Sequence, residues 1–303
     1  MIKFYMMIGL PASGKSTIAR EIAEKENAVV ISTDKLRKEL LNDENSQADN
    51  NLIFKEAEKR LKENINNGNN VIFDATNINY KKRRDWLNRF NKYNVEKIAI
   101  LVATPYEECL ERNAKRKRKV PEEVITRMYY NFYIPQYYEG FDDIQIKYNS
   151  DYLFFFDDLE DISQDNPYHT LTVLNHCKKV EEILQEHNKH LSIPINFAGR
   201  LHDIGKLKTK TFTNKRGETT DVAHFYDHEK VSAYDSLFYI NLRSRVEMRK
   251  DMEFVLETLN LIQWHMVLHF DLVEKTIKKY KNLLGEEVWK NLEVLHKADC
   301  EGR

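Results

Sequence analysis

Two short stretches carry residue types whose spacing suits phosphate chemistry. GLPASGKST, Gly9 to Thr17, satisfies G-x-x-x-x-G-K-S. Its glycines let successive backbone N–H groups curl around phosphate oxygens, its lysine reaches the terminal phosphates, and its serine hydroxyl can ligate Mg²⁺ at a helix start. Gly9, Ser13, Gly14, Lys15, Ser16 and Thr17 are therefore expected to hold ATP or another nucleoside triphosphate with Mg²⁺. LHDIGK, Leu201 to Lys206, places His202 beside Asp203. Imidazole and carboxylate together suit a divalent transition metal that activates water for attack on phosphorus. Further candidate ligands follow at intervals: His176, His228, His265 and Asp299.

Around the first stretch stand residues that could serve the acceptor of a phosphoryl group. VVISTDKLRKEL puts Asp34 and Arg37 just past an apolar run; a carboxylate there can take a proton from an attacking hydroxyl, and an arginine can fork onto an acceptor phosphate. In VIFDATN, Asp74 ends another apolar run, as an acid that orients Mg²⁺ or acceptor groups would. CLERNAKRKRKVPEEV presents Arg112 and Arg116 four apart, one helical turn, so both are expected on one face toward the transferring group. Some of Lys115, Lys117, Arg118 and Lys119 read as a solvated basic run.

These residues need elements to hold them. IKFYMMIGL is a strand and KSTIAREIAEKEN a helix. NAVVIST, NNVIFDATN and VEKIAILVAT are further strands separated by helices at TDKLRKELL, LIFKEAEKRLKENINNG and YKKRRDWLNRFNKYN. Alternating β and α segments predict an α/β domain with a parallel sheet flanked by helices. The span 105–138 reads as interrupted helix, and IQIKYNSDYLFFFDDL as one or two strands. Beyond Pro167 nearly every segment has helical period, apart from a polar loop expected at TFTNKRGETTD. The expected division is residues 1–158 and 159–303, with the second domain all-helical.

Composition agrees with two soluble cores. The 303 residues are 42% hydrophobic and 31% charged, with a net charge of -1. Residues 1–150 carry 26 basic against 22 acidic residues and the remainder 21 against 26, so the front half is the better partner for a polyanion. No apolar run is long enough for a membrane span and no signal-peptide pattern precedes the first strand, so a cytoplasmic protein with no membrane partner is expected. Cys109, Cys177 and Cys300 form no C-x-x-C pair and are expected to be reduced thiols with no part in metal binding. His187, His190, His269 and His296 are expected on solvated helical faces, whereas His169 and His224 lie close enough to the motifs to be substrate contacts.

Together, G-x-P-x-S-G-K-S-T, S-T-D-x-x-R, D-A-T-N and E-R-N-x-K-R followed by V-P resemble the 5′-hydroxyl polynucleotide kinases of phage and bacterial RNA repair, across residues 1–140. The resemblance implies Lys15 and Ser16 on the phosphates and Mg²⁺, Asp34 as general base, Arg37 on the acceptor phosphate, and Arg112 and Arg116 clamping the donor. NPYHTLTVLNH, LHDIGK, HEKVSA and KADCEGR resemble the HD phosphohydrolase superfamily over residues 165–303, including the helical HD part of bacterial CCA-adding enzymes. That resemblance implies one metal on His176, His202, Asp203 and Asp299. It also implies a second on His228, His265 and the shared Asp203, with Lys206 on the scissile phosphate. One or two ions among Mn²⁺, Fe²⁺, Ni²⁺ and Zn²⁺ would fill these sites. Only four residues follow Asp299, which leaves its helix little to anchor it.

The pairing resembles bifunctional end-healing enzymes: a kinase supplies a 5′-phosphate, and a metal phosphoesterase clears a 2′,3′-cyclic phosphate or a 2′- or 3′-phosphate. The expected partners are RNA or DNA ends and an RNA ligase acting downstream, with homo-oligomerisation left open. Two alternatives stand beside this expectation: a small-molecule or nucleoside kinase joined to an HD nucleotide phosphohydrolase, and an ATP-switched RNA-binding module without turnover.

Overall fold

The protein is described by a computed structural model covering residues 1–43, 48–152, 154–187, 193–246 and 252–303. The chain divides into two compact units. The first comprises Met1–Met128 and Pro135–Asp151, the second Tyr129–Ile134 and Tyr152–Arg303. The boundary thus falls seven residues before the expected one, and Tyr129–Ile134 joins the second unit. That segment is tied there by Tyr129 Oη donating to Asp235 Oδ1 (2.6 Å) and by Ile134 N donating to Gln263 Oε1 (2.7 Å).

The first unit alternates strand and helix: β1 Ile2–Ile8, α1 Lys15–Glu26, β2 Ala28–Ser32, α2 Thr33–Leu41, α3 Asn50–Asn66, β3 Asn70–Asp74, α4 Tyr80–Arg89, β4 Val95–Ala103, α5 Tyr106–Ala114, α6 Glu122–Tyr130, whose last two residues are counted with the second unit, and β5 Asp143–Tyr148. The five strands form a parallel sheet in the order β2-β3-β1-β4-β5. Such a sheet is covered on both faces, so its central strands are continuous apolar runs; Phe4 to Ile8 are all buried. Tyr5 and Met7 pack with Ala19 of α1, whereas Phe4 on the other face stacks on Phe90 with ring centroids 4.8 Å apart. A buried bidentate pair, Arg83 to Glu139, fixes α4 to the turn that precedes β5.

The second unit contains α7 Val173–His187, α8 Ile193–Leu201, α9 Lys206–Thr209, β6 Lys210–Thr213, β7 Thr219–Phe225, α10 His228–Val246, α11 Met252–Trp264, α12 Glu274–Leu284 and α13 Glu286–Glu301. It is helical as expected, with one exception. The stretch expected to be a loop is an antiparallel hairpin, β6 with β7. Its turn is built by Asn214, whose Oδ1 accepts from the N–H groups of Arg216 and Glu218, and by Gly217 at φ 83°. The strands KTFT and TTDVAHF are rich in Thr and carry Lys, Asp and His, so their composition looks like a loop. In IQIKYNSDYLFFFDDL only β5 forms; a 3-10 turn covers Phe156–Asp158, and Leu153 lies outside the described residues. His190 and residues 44–47 of the polar stretch before α3 also lie outside them, as does the side chain of His187. Among the described residues, no helix is long and apolar enough to cross a membrane.

Candidate functional site

In the first unit the chain turns from β1 into α1 through Gly9 to Gly14. Gly14 caps α1 at φ 93°, and a Cβ there would sit 2.1 Å from Asn149 Nδ2, so only glycine fits. Lys15 is buried and its Nζ turns back onto the Leu10 carbonyl (2.6 Å). Burial pulls its pKa down to about 8, against the opposing pull of Asp74. Ser16 Oγ donates to Asp74 Oδ2 (2.8 Å), so the hydroxyl and the acid that would share Mg²⁺ already meet. Burial raises Asp74 above the usual carboxylate range. Ser13 Oγ is buried without a hydrogen-bond partner, a polar atom suited to a phosphate oxygen. These features fit a nucleotide with Mg²⁺.

The acceptor side is assembled where β2 runs into α2, at the carboxyl edge of the sheet. Asp34, in the first turn of α2, has a half-exposed side chain. Arg37 NH1 donates to its Oδ1 at 3.1 Å, and Arg118 reaches its Oδ2 at 2.6 Å. Arg37 is buried, bonds Asn50 Oδ1 at 3.0 Å, and keeps Nε without a partner. Arg112, on α5, donates to Glu108 and to the carbonyl of Asn149, whose side chain in turn donates to Ser13 O on the P-loop.

Arg116 departs from the expected arrangement. α5 ends at Ala114, because Asn113 closes a loop onto both backbone groups of Val120 and Pro121 holds the chain extended before it. Arg116 is therefore exposed past the helix end, not on one face with Arg112, although its charge still acts on Lys15. Arg118, a member of the basic run that the sequence did not single out, reaches Asp34. Arg118 and Asn149 lie 84 and 136 residues from the groups they contact, so local spacing gives no signal for either.

In the second unit His176, His202, Asp203, His228, His265 and Asp299 come together, all buried. His202 is the first residue past α8 and His265 the first past α11; each turns Nδ1 back onto a carbonyl of the last helical turn, Gly199 at 2.8 Å and Ile262 at 2.7 Å. His228 opens α10 and uses the Phe225 carbonyl (2.7 Å), and His176 on α7 uses that of Gly302 (3.0 Å). Asp299 is held well: its helix α13 runs sixteen residues, and Gly302 beyond it bonds back to Ala298. A carbonyl can only accept, so all four rings carry their proton on Nδ1 and present the Nε2 lone pair inward.

Those lone pairs converge on one carboxylate. Asp203 Oδ1 lies 3.1 Å from His228 Nε2 and 3.5 Å from His265 Nε2; its Oδ2 lies 3.5 Å from His176 and 3.4 Å from His202. Asp299 Oδ1 is 3.0 Å from His176 Nε2. Two Nε2 pairs face each other, His176 with His202 at 3.2 Å and His228 with His265 at 3.3 Å. With both protons on Nδ1 neither member of a pair can donate, so a cation between them is what the set fits. His176, His202, Asp203 and Asp299 could hold one divalent ion, and His228, His265 and Asp203 a second. Burial would raise Asp203, yet Lys206 and the imidazoles hold it well below its usual range. Burial pulls His202 down to about 3, whereas at His176 and His265 the carboxylates outweigh burial and the pKa rises.

A cavity of ≈ 230 Å³ opens over this cluster, lined in part by His169, Lys206, His224 and Arg303. Gly205 lets the HD turn approach α10, since a Cβ there would lie 2.3 Å from the His228 carbonyl. Lys206 Nζ bonds Asp203 Oδ2 (2.6 Å), buried Gln164 (2.8 Å) and His169 Nε2 (3.4 Å). Burial, with Lys206 beside it, lowers His169 to about 4 and leaves its Nδ1 without a partner. His224 stacks on Tyr226. Gln164 and Arg303 were not expected; both act across long sequence separations. His269 and His296, expected to be solvated, are half-buried and meet each other, and His269 also meets Asp299.

Comparison with known proteins agrees with both halves. Residues 4–135 match the family model of an AAA domain and residues 168–299 that of an HD domain. The chain is 28% identical over 218 residues to the L-seryl-tRNA(Sec) kinase of Methanococcus maripaludis, covering 68% of this chain and 82% of that one. Among solved structures, a chain of the Pnkp1/Rnl/Hen1 RNA repair complex is 26% identical with a TM-score of 0.39, covering 42% of each chain. The chain therefore spans well under half the length of that relative. A gluconokinase from Sinorhizobium meliloti 1021 is 15% identical with a TM-score of 0.36, covering 48% of this chain and 82% of that one. The chain thus joins a P-loop kinase domain, matched over residues 4–135, to a helical HD domain, matched over residues 168–299.

Proposed function

We propose that the chain heals RNA ends, phosphorylating a 5′-hydroxyl with ATP in the first unit and clearing a 2′,3′-cyclic phosphate or a 2′- or 3′-phosphate in the second. The observation that carries this reading is one chain holding both a P-loop with an arginine-flanked carboxylate on its acceptor side and a buried His–Asp cluster with two cation-sized gaps. A small acceptor has no need of two arginines beside the base, whereas a nucleic-acid end brings phosphates of its own.

In the kinase reaction Asp34 takes the proton of the attacking hydroxyl and Arg37, with its free Nε, binds the acceptor's adjacent phosphate. Lys15, Arg112 and Arg116 neutralise charge on the transferring group. Mg²⁺, held by Ser16 and assisted by Asp74, supplies further neutralisation of the nucleotide oxygens when bound. In the HD cleft Lys206 meets the scissile phosphate, and His169, neutral at pH 7, offers its unpartnered Nδ1 to a substrate oxygen. The divalent ions, when bound, supply the Lewis acidity that activates water. Mn²⁺, Fe²⁺, Ni²⁺ and Zn²⁺ all suit the imidazole and carboxylate donors.

The seryl-tRNA(Sec) kinase relative favours a second reading, in which the acceptor hydroxyl is borne by a tRNA and is not its 5′ end. An RNA with a 5′-hydroxyl and a 2′,3′-cyclic phosphate, incubated with ATP, Mg²⁺ and Mn²⁺, tests the first. Both ends should change, with His202→Ala losing only the 3′-end reaction and Asp34→Ala only the 5′-end reaction. Transfer to seryl-tRNA but not to the 5′-hydroxyl would establish the second; transfer to neither would leave a small-molecule kinase.

A further inference from the structure

Beside the two gaps around Asp203 lies a third group of donors with different chemistry. His296, Asp299 and Cys300 share one face of α13 at spacings of three and four residues, and His269 ends the 3-10 turn that follows α11. His269 Nε2 lies 3.2 Å from His296 Nδ1 and 2.8 Å from Asp299 Oδ2, the carboxylate oxygen not used by His176. Cys300 Sγ lies 4.0 and 3.8 Å from the two ring nitrogens of His296 and is a free thiol. One donor atom from each of His269, His296 and Cys300 falls within 4.8 Å of the others. Bonds of about 2.0–2.3 Å to a tetrahedral ion place ligand atoms about 3.3–3.8 Å apart, close to the nitrogen–nitrogen and nitrogen–sulfur separations here.

We propose that His269, His296, Cys300 and the outer oxygen of Asp299 form a third metal site, selective for a thiophilic ion such as Zn²⁺. The two sites around Asp203 offer only nitrogen and oxygen, which suit Mn²⁺ or Fe²⁺ as well as Zn²⁺; the thiolate separates this one from them. Asp299 would bridge the third ion to the first, and His269 and Asp299 also line the cleft. Without an ion the group is a hydrogen-bonded chain. Arg303 donates to His269 Nδ1 (2.9 Å), so Nε2 carries the proton and donates it to Asp299. Metal binding at Nε2 moves that single His269 proton to Nδ1, expels the Cys300 thiol proton to solvent, and requires exposed Arg303 to turn away. The expectation that no cysteine binds metal is thereby revised for Cys300 alone. The readouts are metal content and thiol chemistry, so the outcome is separate from whether RNA ends are processed.

The test uses the full chain, stripped of metal and then loaded with Zn²⁺ or Co²⁺. The wild type should hold one more equivalent of Zn²⁺ than Cys300→Ala. Its Co²⁺ form should show a near-ultraviolet thiolate-to-cobalt band, lost in Cys300→Ala and His296→Ala and kept in Cys177→Ala. On the unmutated protein Zn²⁺ should slow alkylation of Cys300 by about tenfold or more, because a metal-bound thiolate is a poor nucleophile, and Mg²⁺ should not. Arg303→Ala should tighten Zn²⁺ at this site. Equal zinc content in wild type and Cys300→Ala, no thiolate band, or alkylation indifferent to Zn²⁺ would overturn the proposal.

Discussion

In the helical unit four imidazoles are each fixed at Nδ1 by a backbone carbonyl and are fully or nearly fully buried, whereas in the P-loop unit the acceptor-side carboxylate, Asp34, is half-exposed and held by two arginine side chains. The first arrangement is rigid before any ligand arrives. Its donors cannot turn away, so they select by the size and charge of what fits between them. The second is adjustable: two guanidinium groups hold the carboxylate in place, and both can exchange it for an acceptor phosphate. A small cation gains from rigid donors, while a long flexible polymer end needs side chains that move with it.

The comparison breaks hardest at Asp203. Asp203→Asn removes the negative charge and one of the two oxygens shared by the cation gaps, so metal content should fall by up to two equivalents and phosphoesterase activity by about a thousandfold or more, with kinase activity unchanged. The same change leaves buried Lys206 without its carboxylate partner. In a chelator, thermal or urea unfolding should therefore show a loss of about 3 kcal/mol or more. A variant that kept both metals would contradict the shared-bridge geometry.

On the adjustable side, Asp34→Asn should lower the kinase rate by about a hundredfold or more while leaving phosphoesterase activity intact. Its stability cost should stay within about 1 kcal/mol, because Asp34 is half-exposed and buried Arg37 keeps its bond to Asn50. Equal losses in rate and stability would mean that Asp34 is structural, and single-turnover kinetics beside urea melts would reveal it.

Lys15 gives the comparison a pH dependence. Burial lowers its pKa to about 8, and the phosphates need its charged form. Nucleotide affinity should therefore fall as pH rises through about 8, by up to about tenfold per unit. Stability should change the other way. Between about 8 and 10.5 the unfolded chain keeps the lysine proton and the folded chain has lost it, so stability contributed by this group rises with pH across that window. Fluorescent-nucleotide titrations and denaturant melts over the same range check both signs; affinity that is flat through pH 8 would refute the assignment.

What was legible in the sequence follows the same division. Gly9 to Thr17 and Leu201 to Lys206 were readable because each packs its chemistry into consecutive residues, and the strands of the P-loop unit are unbroken apolar runs. The imidazole ligands were readable from the resemblance, but their carbonyl partners were not, because any residue can supply a carbonyl. The hairpin at Lys210–Phe225 was hidden by solvated strands that look like loop. His269 and His296 were hidden because helical spacing gives each a polar face, and only the 3-10 turn after Trp264 brings His269 to α13. Arg118 sits in a run of Lys and Arg from which composition alone selects none.

Arg118 also carries the smallest effect and the sharpest test of adjustability. It reaches both oxygens of Asp34, at 2.6 and 3.2 Å, from a loop, not from a helix face. If it only fixed the carboxylate, Arg118→Ala would lower the kinase rate at saturating acceptor. A guanidinium that instead transfers to the incoming phosphate is used mainly in binding, so its loss raises KM several-fold and leaves kcat near its original value, about the effect of one exposed charge–phosphate contact. Stability should change by less than about 1 kcal/mol. Raising the salt concentration should narrow the gap between wild type and variant, because the contact that was removed is screened by ions. A fall in kcat with KM unchanged would instead make Arg118 a fixed brace for Asp34, and the acceptor side of the P-loop unit as rigid as the HD cluster.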